Sequence, residues 1–365
     1  MKVFFLFPTV DGTIILEVFR MLIRKWLITA LLLSFSIMFV TGCTNAKNEN
    51  ESPNSKAREK VVIGYLAMSD PQAAAAQLGF FEKHMDADVT FQRFDSGPAS
   101  LAALASGSIQ FMTELGNPPT ANAISKGIPI EIIWLLEQYT TGVGLVVKDD
   151  STIQSLSDLK GKKLAVVKGS TGDLVLSTAL HAAQIDLSSI DIINMSPPNM
   201  VAAWKAGNIE AAITWDPAKS EMLNDGGRAI LYAKDQEAPV VNLVVVNKDW
   251  AATHKSLVEG FIRAEVEGIE FFENSPEEAY DAIAKWNSIT IDDVKQRLKG
   301  INYVSLNDQL TTLGLGAPEQ PEQSVVFKSL DMAMQDGFRQ GQIENIPDNL
   351  NDFINRDYVM SVLEK

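Results

Sequence analysis

From Val61 onward, apolar runs of about five residues alternate with small or polar turns and Ala-rich segments of helical spacing, the signature of an α/β chain. The apolar runs predict strands at Val61–Tyr65, Val89–Phe94, Ile109–Thr113, Ile128–Leu136, Gly144–Val147, Lys163–Val167, Asp191–Met195, Ala211–Trp215 and Leu243–Val246. The intervening segments predict helices at Pro71–Lys83, Pro98–Ala105, Pro119–Ser125, Asp173–Ala183, Asn199–Lys205, Ala218–Asn224 and Ser256–Glu273. Beyond Asn274 the apolar spacing becomes helical throughout. Strands are expected to stop there, leaving helices at Pro276–Trp286, Ile291–Leu298, Glu322–Gly337 and Leu350–Leu363 as a C-terminal cap.

A chain of 365 residues exceeds the usual size of one domain. Two sheet-containing lobes are expected, with residues 61–146 and 243–365 in the first and 147–242 in the second. The chain would then cross between them twice, near Leu145–Lys148 and Val241–Val246. Two such crossings make a hinge, which works by changing a few backbone dihedrals while each lobe stays rigid.

The pattern differs before Val61. From Met21 the chain reads MLIRKWLITALLLSFSIMFVTGC, in which Arg24 and Lys25 precede an uncharged stretch from Trp26 to Val40. That length suits a signal peptide and is short for a membrane span. It ends in Val40-Thr41-Gly42-Cys43, which resembles the bacterial lipobox, so Cys43 is the expected lipidation site and mature N-terminus. Asp11 and Glu17 interrupt residues 1–20, and a complete signal opens at Met21, where translation is expected to begin within the signal region 1–42. Residues 43–60 are polar and lack apolar periodicity, as a tether above a membrane would.

Charge and cysteine content narrow the function. The formal net charge is −15, and no run of Lys and Arg forms the basic stripe that phosphate backbones require, so nucleic acid is excluded as a partner. An anionic ligand would have to be held by local donors against the overall field. A single cysteine excludes an intramolecular disulfide and an all-cysteine metal site. His84, His181 and His254 have no spacing that suggests a zinc site or a catalytic triad, and no cofactor is implied. The absence of GxxxxGK[ST] excludes a P-loop ATPase.

Ligands of α/β sheets collect at the carboxyl ends of strands, where helix N-termini present free N–H groups. Four turns occupy such places: Ser69-Asp70-Pro71, Gly116-Asn117-Pro118-Pro119-Thr120, Gly169-Ser170-Thr171-Gly172 and Trp215-Asp216-Pro217. Each is also ordinary helix-start grammar, so plain capping competes with ligand binding at every one. Ser170, Thr171 and Gly172 offer hydroxyls and amides to an anion directly after the strand KLAVV, and Asn117 and Thr120 could add donors. For an ammonium, the carboxylates at strand ends are Asp70, Glu114, Glu137 and Asp216, of which Asp70 and Asp216 are favoured. Trp215 and Trp134 could shield a short hydrocarbon or belong to the core.

The segments VVIGYLAMSDPQAAAAQ, FQRFDSGPASLAALASGSIQ, IPIEIIWLLE, DLKGKKLAVVKGSTGDLVLSTAL and SPPNMVAAWKAGNIEAAITWDPA, in that order, resemble taurine-binding and aliphatic-sulfonate-binding components of ABC importers. The resemblance runs from Val61 to Tyr358. It implies the type II periplasmic binding protein fold, two α/β lobes on a two-segment hinge with C-terminal helices, and a solute held in the interlobe cleft. It further implies a small sulfonate such as taurine, a permease and an ATPase subunit as partners, a lipid anchor outside the cytoplasm, and no catalysis. The sulfonate would lie on the turns Gly116–Thr120 and Ser170–Gly172, and an amino end would face Asp70 and Asp216. Two departures stand out. Asn242, in Ala238-Pro239-Val240-Val241-Asn242, replaces an aspartate of the taurine-binding pattern, and FMTELGNPP carries an extra residue and Glu114, which points to another sulfonate or an amine. Nitrate, a pyrimidine or thiamine precursor and an aromatic sulfonate are the alternative ligands; an enzyme of pyrimidine-precursor metabolism is the alternative of a different class.

Overall fold

Two mixed sheets organise residues 58–364, which are the residues this computed structural model describes. The signal region, Cys43 and the tether up to residue 57 lie outside them. The strands are β1 (Lys60–Tyr65), β2 (Asp88–Arg93), β3 (Phe111–Gly116), β4 (Ile130–Tyr139), β5 (Val143–Lys148), β6 (Lys163–Val166), β7 (Asp191–Asn194), β8 (Ala211–Trp215), β9 (Gly227–Tyr232), β10 (Val241–Asn247) and β11 (Ile301–Tyr303). One sheet has the order β11-β4-β10-β3-β1-β2 and the other β7-β6-β8-β5-β9.

Both sheets follow one plan. A parallel trio, β2-β1-β3 or β7-β6-β8, arises from strand–helix–strand units, and antiparallel strands complete the sheet. All seven residues of β10, VNLVVVN, are buried, because helices cover both faces of the sheet it returns to. Each sheet carries its own apolar core, one around Trp134, Phe111 and Phe261 and the other around Trp204, Leu164 and Ile213. Most of each lobe's core is therefore its own, with Leu174 of the second lobe joining the first core and Met332 packed against both. Among the described residues no helix is long and apolar enough to cross a membrane.

The chain leaves the first sheet after Tyr139 and enters the second at Val143; it returns between Tyr232 and Val241. The two connections touch, since Lys234 N–H donates to the Thr140 carbonyl at 2.9 Å and Tyr139 N–H to the Val240 carbonyl at 2.8 Å. This corrects the crossings expected at Leu145–Lys148 and Val241–Val246, which lie inside β5 and β10. An apolar run reads alike in a connection and in a central strand, so the sequence could not separate them.

Other corrections have local causes. Helix Pro71–Lys83 is two helices, Pro71–Gln77 and Phe80–Met85, broken where Gly79 takes a left-handed φ of 76°. Strands do not stop at Asn274, because β11 adds to β4 as an edge; three residues carry too little pattern to be seen. Strand β9 was missed because GRAILY is mostly half-exposed.

The helix Lys255–Asn274 buries Leu257, Val258, Phe261, Ile262 and Ile269 on one face. Its Gly260 lies against the helix Phe80–Met85, where an added Cβ would come within 2.6 Å of the His84 carbonyl oxygen. Alanine is the better helix former by about 1 kcal/mol, yet Gly260→Ala is expected to destabilise by about 1–3 kcal/mol through overpacking against backbone. The urea midpoint checks this; a midpoint at or above wild type would mean the helices have room to separate.

Candidate functional site

All four candidate turns sit at carboxyl ends of neighbouring strands. Those after β1 and β3 rise from the first sheet, and those after β6 and β8 from the second. Between the sheets lies a cleft with an outer and an inner chamber that share Leu66, Ala67 and Trp215 as walls.

The outer chamber, about 290 Å³, is bounded by Arg93, Phe94 and Asp95 on one side and by Pro197, Pro198, Val201, Pro217, Ala218 and Glu221 on the other. The inner chamber is about 40 Å³, room for a few water-sized groups. Its walls are Ser69, Glu114, Glu137 and Tyr139 from the first lobe, Gly142 from a connection, Asp216 from the second lobe, and Arg297 and Ile301 from the C-terminal region.

Carboxylates dominate the inner end. Glu114 Oε2 accepts the amides of Leu66 at 2.7 Å and Ala67 at 2.8 Å, and Oε1 accepts that of Met68 at 2.8 Å. Glu137 Oε1 accepts from Asn242 Nδ2 at 2.8 Å, and the second proton of that amide goes to the Tyr139 hydroxyl oxygen at 2.7 Å. Asp70 is buried at the start of the helix Pro71–Gln77, with no well-formed hydrogen bond to either oxygen. Burial, aided by the Glu114 charge, pushes Asp70 up to about 7. Burial, with Asp70 and Glu114 nearby, raises Glu137 well above its ordinary range. Burial and Glu137 do the same to Tyr139, so its phenol keeps its proton.

Asp216 is held differently. Oδ1 accepts from Ser220 N–H at 3.1 Å and Ser220 Oγ at 2.5 Å, while Oδ2 pairs with Lys219 Nζ at 2.9 Å. It precedes a cis Pro217 and borders the cleft as a paired charge. Arg297 donates to Ser69 Oγ at 3.2 Å and Arg93 Nε to the Leu66 carbonyl at 3.1 Å, which places two guanidinium groups beside the carboxylates.

The nine candidate residues thus divide. Trp215 and Asp216 line the cleft, and Asp70 and Asn242 lie behind its inner wall beside Glu114 and Glu137. Asn117, Thr120, Ser170, Thr171 and Gly172 form a second group, in which the two turns pack on each other: a Cβ on Gly116 would meet Thr171 Cγ2 at 2.6 Å. Two of their side-chain donors are spent internally. Asn117 Nδ2 donates to the Ser329 carbonyl and Thr120 Oγ1 to that of Gly116, both at 2.9 Å. Gly169 N–H goes to Asp173 Oδ2 at 2.8 Å, and Ser170 Oγ accepts from Asp173 N–H at 3.4 Å. The space beside Ser170 is about 10 Å³ and is bordered by Asp173 and Asp336, a poor setting for an anion. Trp134 is fully buried in the first core.

The NMT1/THI5-like family profile matches residues 70–279. The Taurine-binding periplasmic protein of Escherichia coli (strain K12) is 32% identical over 263 residues, covering 69% of this chain and 81% of that protein. The chain belongs to the NMT1/THI5-like family. Among solved structures, the alkanesulfonate-binding protein SsuA from Xanthomonas axonopodis pv. citri, bound to MOPS, superposes with a TM-score of 0.68 at 20% identity, covering 82% of this chain and 99% of that one. The desulfurization enzyme DSZB superposes with a TM-score of 0.60 at 14% identity, covering 84% and 99%. The fold of the NMT1/THI5-like family therefore occurs in an enzyme as well as in binding proteins. The family match spans all nine candidate residues and also Arg93 and Tyr139. Leu66, Ala67 and Ser69 precede it and Arg297 and Ile301 follow it, so two parts of the cleft wall come from outside the matched region.

Arg93, Tyr139 and Arg297 were missing from the sequence reading. Arg93 and Tyr139 end strands β2 and β4, and a polar residue at a strand end is the one signal they carry in the sequence. Arg297 lies in the helix Ile291–Leu298 and has no such signal.

Proposed function

We propose that this chain is the extracytoplasmic solute-binding subunit of an ABC importer, anchored through Cys43, and that it captures taurine or another small sulfonate between its lobes without changing it. The observation that carries this is a cleft walled by both lobes and by a connection between them, so that a bound solute bridges parts that can move. Charges of both signs at its inner end suit a zwitterion, whose ammonium would meet Glu137 and the Tyr139 oxygen while its sulfonate reaches Arg297 or Arg93. The short hydrocarbon would lie on Trp215, which walls both chambers. Permease and ATPase subunits are the partners this role requires.

Binding without turnover is supported by the residues at hand. The one cysteine is Cys43. His84 pairs with Glu267, and His254 stacks on Trp250, neither of which lines the cleft. A second reading, a larger or aromatic sulfonate, is favoured by the outer chamber, whose walls include Phe94, Pro197, Pro198 and Val201.

Calorimetric titration with taurine, ethanesulfonate, an aromatic sulfonate, nitrate and hydroxymethylpyrimidine tests the reading. A sulfonate is expected to bind at micromolar Kd or tighter, and Trp215→Ala to weaken it by roughly tenfold or more, about 1.4 kcal/mol. Binding of nitrate or the pyrimidine in preference to every sulfonate, or consumption of the bound compound, would overturn it.

A further inference from the structure

We propose that Glu114 is a resident anion: its carboxylate fills a backbone amide nest in the turn after β1, and the cleft consequently takes its solute through a cationic group. This rests on the cleft being the solute site. Leu66, Ala67 and Met68 point three successive amides at one carboxylate, and Met68 has a φ of 25°. Successive amides alternating in backbone hand form a concavity that binds anions. Distances of 2.7–2.8 Å are those of charge-assisted bonds, and a neutral acid would have to turn one oxygen into a donor against an N–H.

The backbone is built to deliver this carboxylate. Between Leu243 and Val245 of β10, strand β3 fits three steps, Leu115 to Met112, against two. The extra residue makes a β-bulge at Thr113-Glu114, and Glu114 takes a φ of 53°. A glutamate there adopts a conformation that favours glycine, and such bulges re-aim side chains beside functional sites. The extra residue of FMTELGNPP is therefore the device that turns a glutamate out of its strand and into the nest.

Two consequences follow for the solute. The three amides, which would otherwise receive an oxyanion at the mouth of the inner chamber, are closed to it. In their place stands a negative charge, with Glu137 on the same wall and, behind it, Asp70, whose two oxygens are buried with no well-formed hydrogen bond, as further oxygens for a cationic group. A plain alkanesulfonate finds repulsion there, whereas an aminoalkanesulfonate finds a place for its ammonium.

The test uses the full chain in two arms. In the first, wild type and Glu114→Gln are titrated with taurine and ethanesulfonate. Wild type should prefer taurine, and the glutamine variant, equal in shape but neutral, should lose roughly tenfold or more for taurine and gain for ethanesulfonate. An unchanged preference overturns the proposal. In the second arm, thermal melts of wild type and Glu114→Ala are recorded with increasing sodium acetate. The alanine variant should melt lower and recover saturably as free acetate fills the vacated nest, with wild type unaffected. A variant indifferent to acetate overturns the filled nest; if Glu114→Ala cannot be obtained folded, the glutamine arm decides alone. Should wild type bind neither compound, the cleft reading and the solute half of the proposal fall together, and acetate rescue would still establish the nest.

Discussion

Acidification from pH 8 to pH 5 is expected to stabilise the solute-free protein, opposite to the usual behaviour of a chain rich in carboxylates. Asp70, Glu137, Glu265 and Asp173 are all raised above their ordinary ranges, chiefly by burial; burial raises Glu114 too, but the three amides of its nest oppose its protonation. A group whose folded pKa lies above its unfolded one binds more protons when folded, so its contribution is complete below the unfolded value and is lost as pH climbs through the folded one. For Asp70 the window runs from 3.8 to about 7. At about 1.4 kcal/mol per pKa unit, that residue alone contributes at most about 4 kcal/mol, shared with its neighbours. The capping carboxylates Asp158, Asp186 and Asp293 are held low by hydrogen bonds from backbone amides and hydroxyls, and their opposite effect falls below pH 4, outside the range compared.

Urea unfolding at pH 5 and pH 8 should therefore give a higher midpoint at pH 5. Asp70→Asn, which keeps the shape of a helix cap and needs no proton, should flatten part of the difference. A midpoint that rises with pH, or a variant as pH-sensitive as wild type, would show that these carboxylates are hydrated or paired. A cationic solute reverses the dependence, because it favours the ionised carboxylates and so binds more tightly as pH rises.

The same carboxylates show where the sequence stops being legible. Alternation of VVIGY, KLAVV and AAITW with Ala-rich helices was readable because buried parallel strands are continuous apolar runs. The four helix starts were readable from Pro and capping residues, and they do stand at neighbouring strand ends. Their partners were not. Whether Ser170 Oγ and Gly169 N–H face solvent or turn to the Asp173 amide and carboxylate respectively depends on helix geometry that composition does not encode. Asn242 reads as the loss of a charge only until Glu137 is seen on the adjacent strand, where a second carboxylate would repel it. Arg297 reaches the cleft through tertiary packing alone, 228 residues from the Ser69 it touches in the turn after β1.

Gly116→Ala is expected to weaken solute binding by roughly ten- to hundredfold while leaving stability near wild type. Gly116 ends β3 in the first lobe, and Thr171 opens a helix of the second; the glycine lets the threonine methyl sit against the backbone between the lobes. An alanine Cβ would stand 2.6 Å from Thr171 Cγ2, closer than two carbons can approach. Each lobe keeps its own apolar core, so the collision is relieved by opening the cleft rather than by unfolding. Overpacking of this kind costs about 1–3 kcal/mol, and a cost confined to the closed state lowers its population and the apparent affinity by the same factor. Calorimetry reads the affinity and thermal melting reads the stability. Thr171→Ser removes the Cγ2 methyl but keeps the hydroxyl, so adding it to Gly116→Ala should restore most of the binding. If it does not, or if Gly116→Ala binds as wild type, the two turns do not meet in the solute-bound state, and closure is limited elsewhere along the cleft.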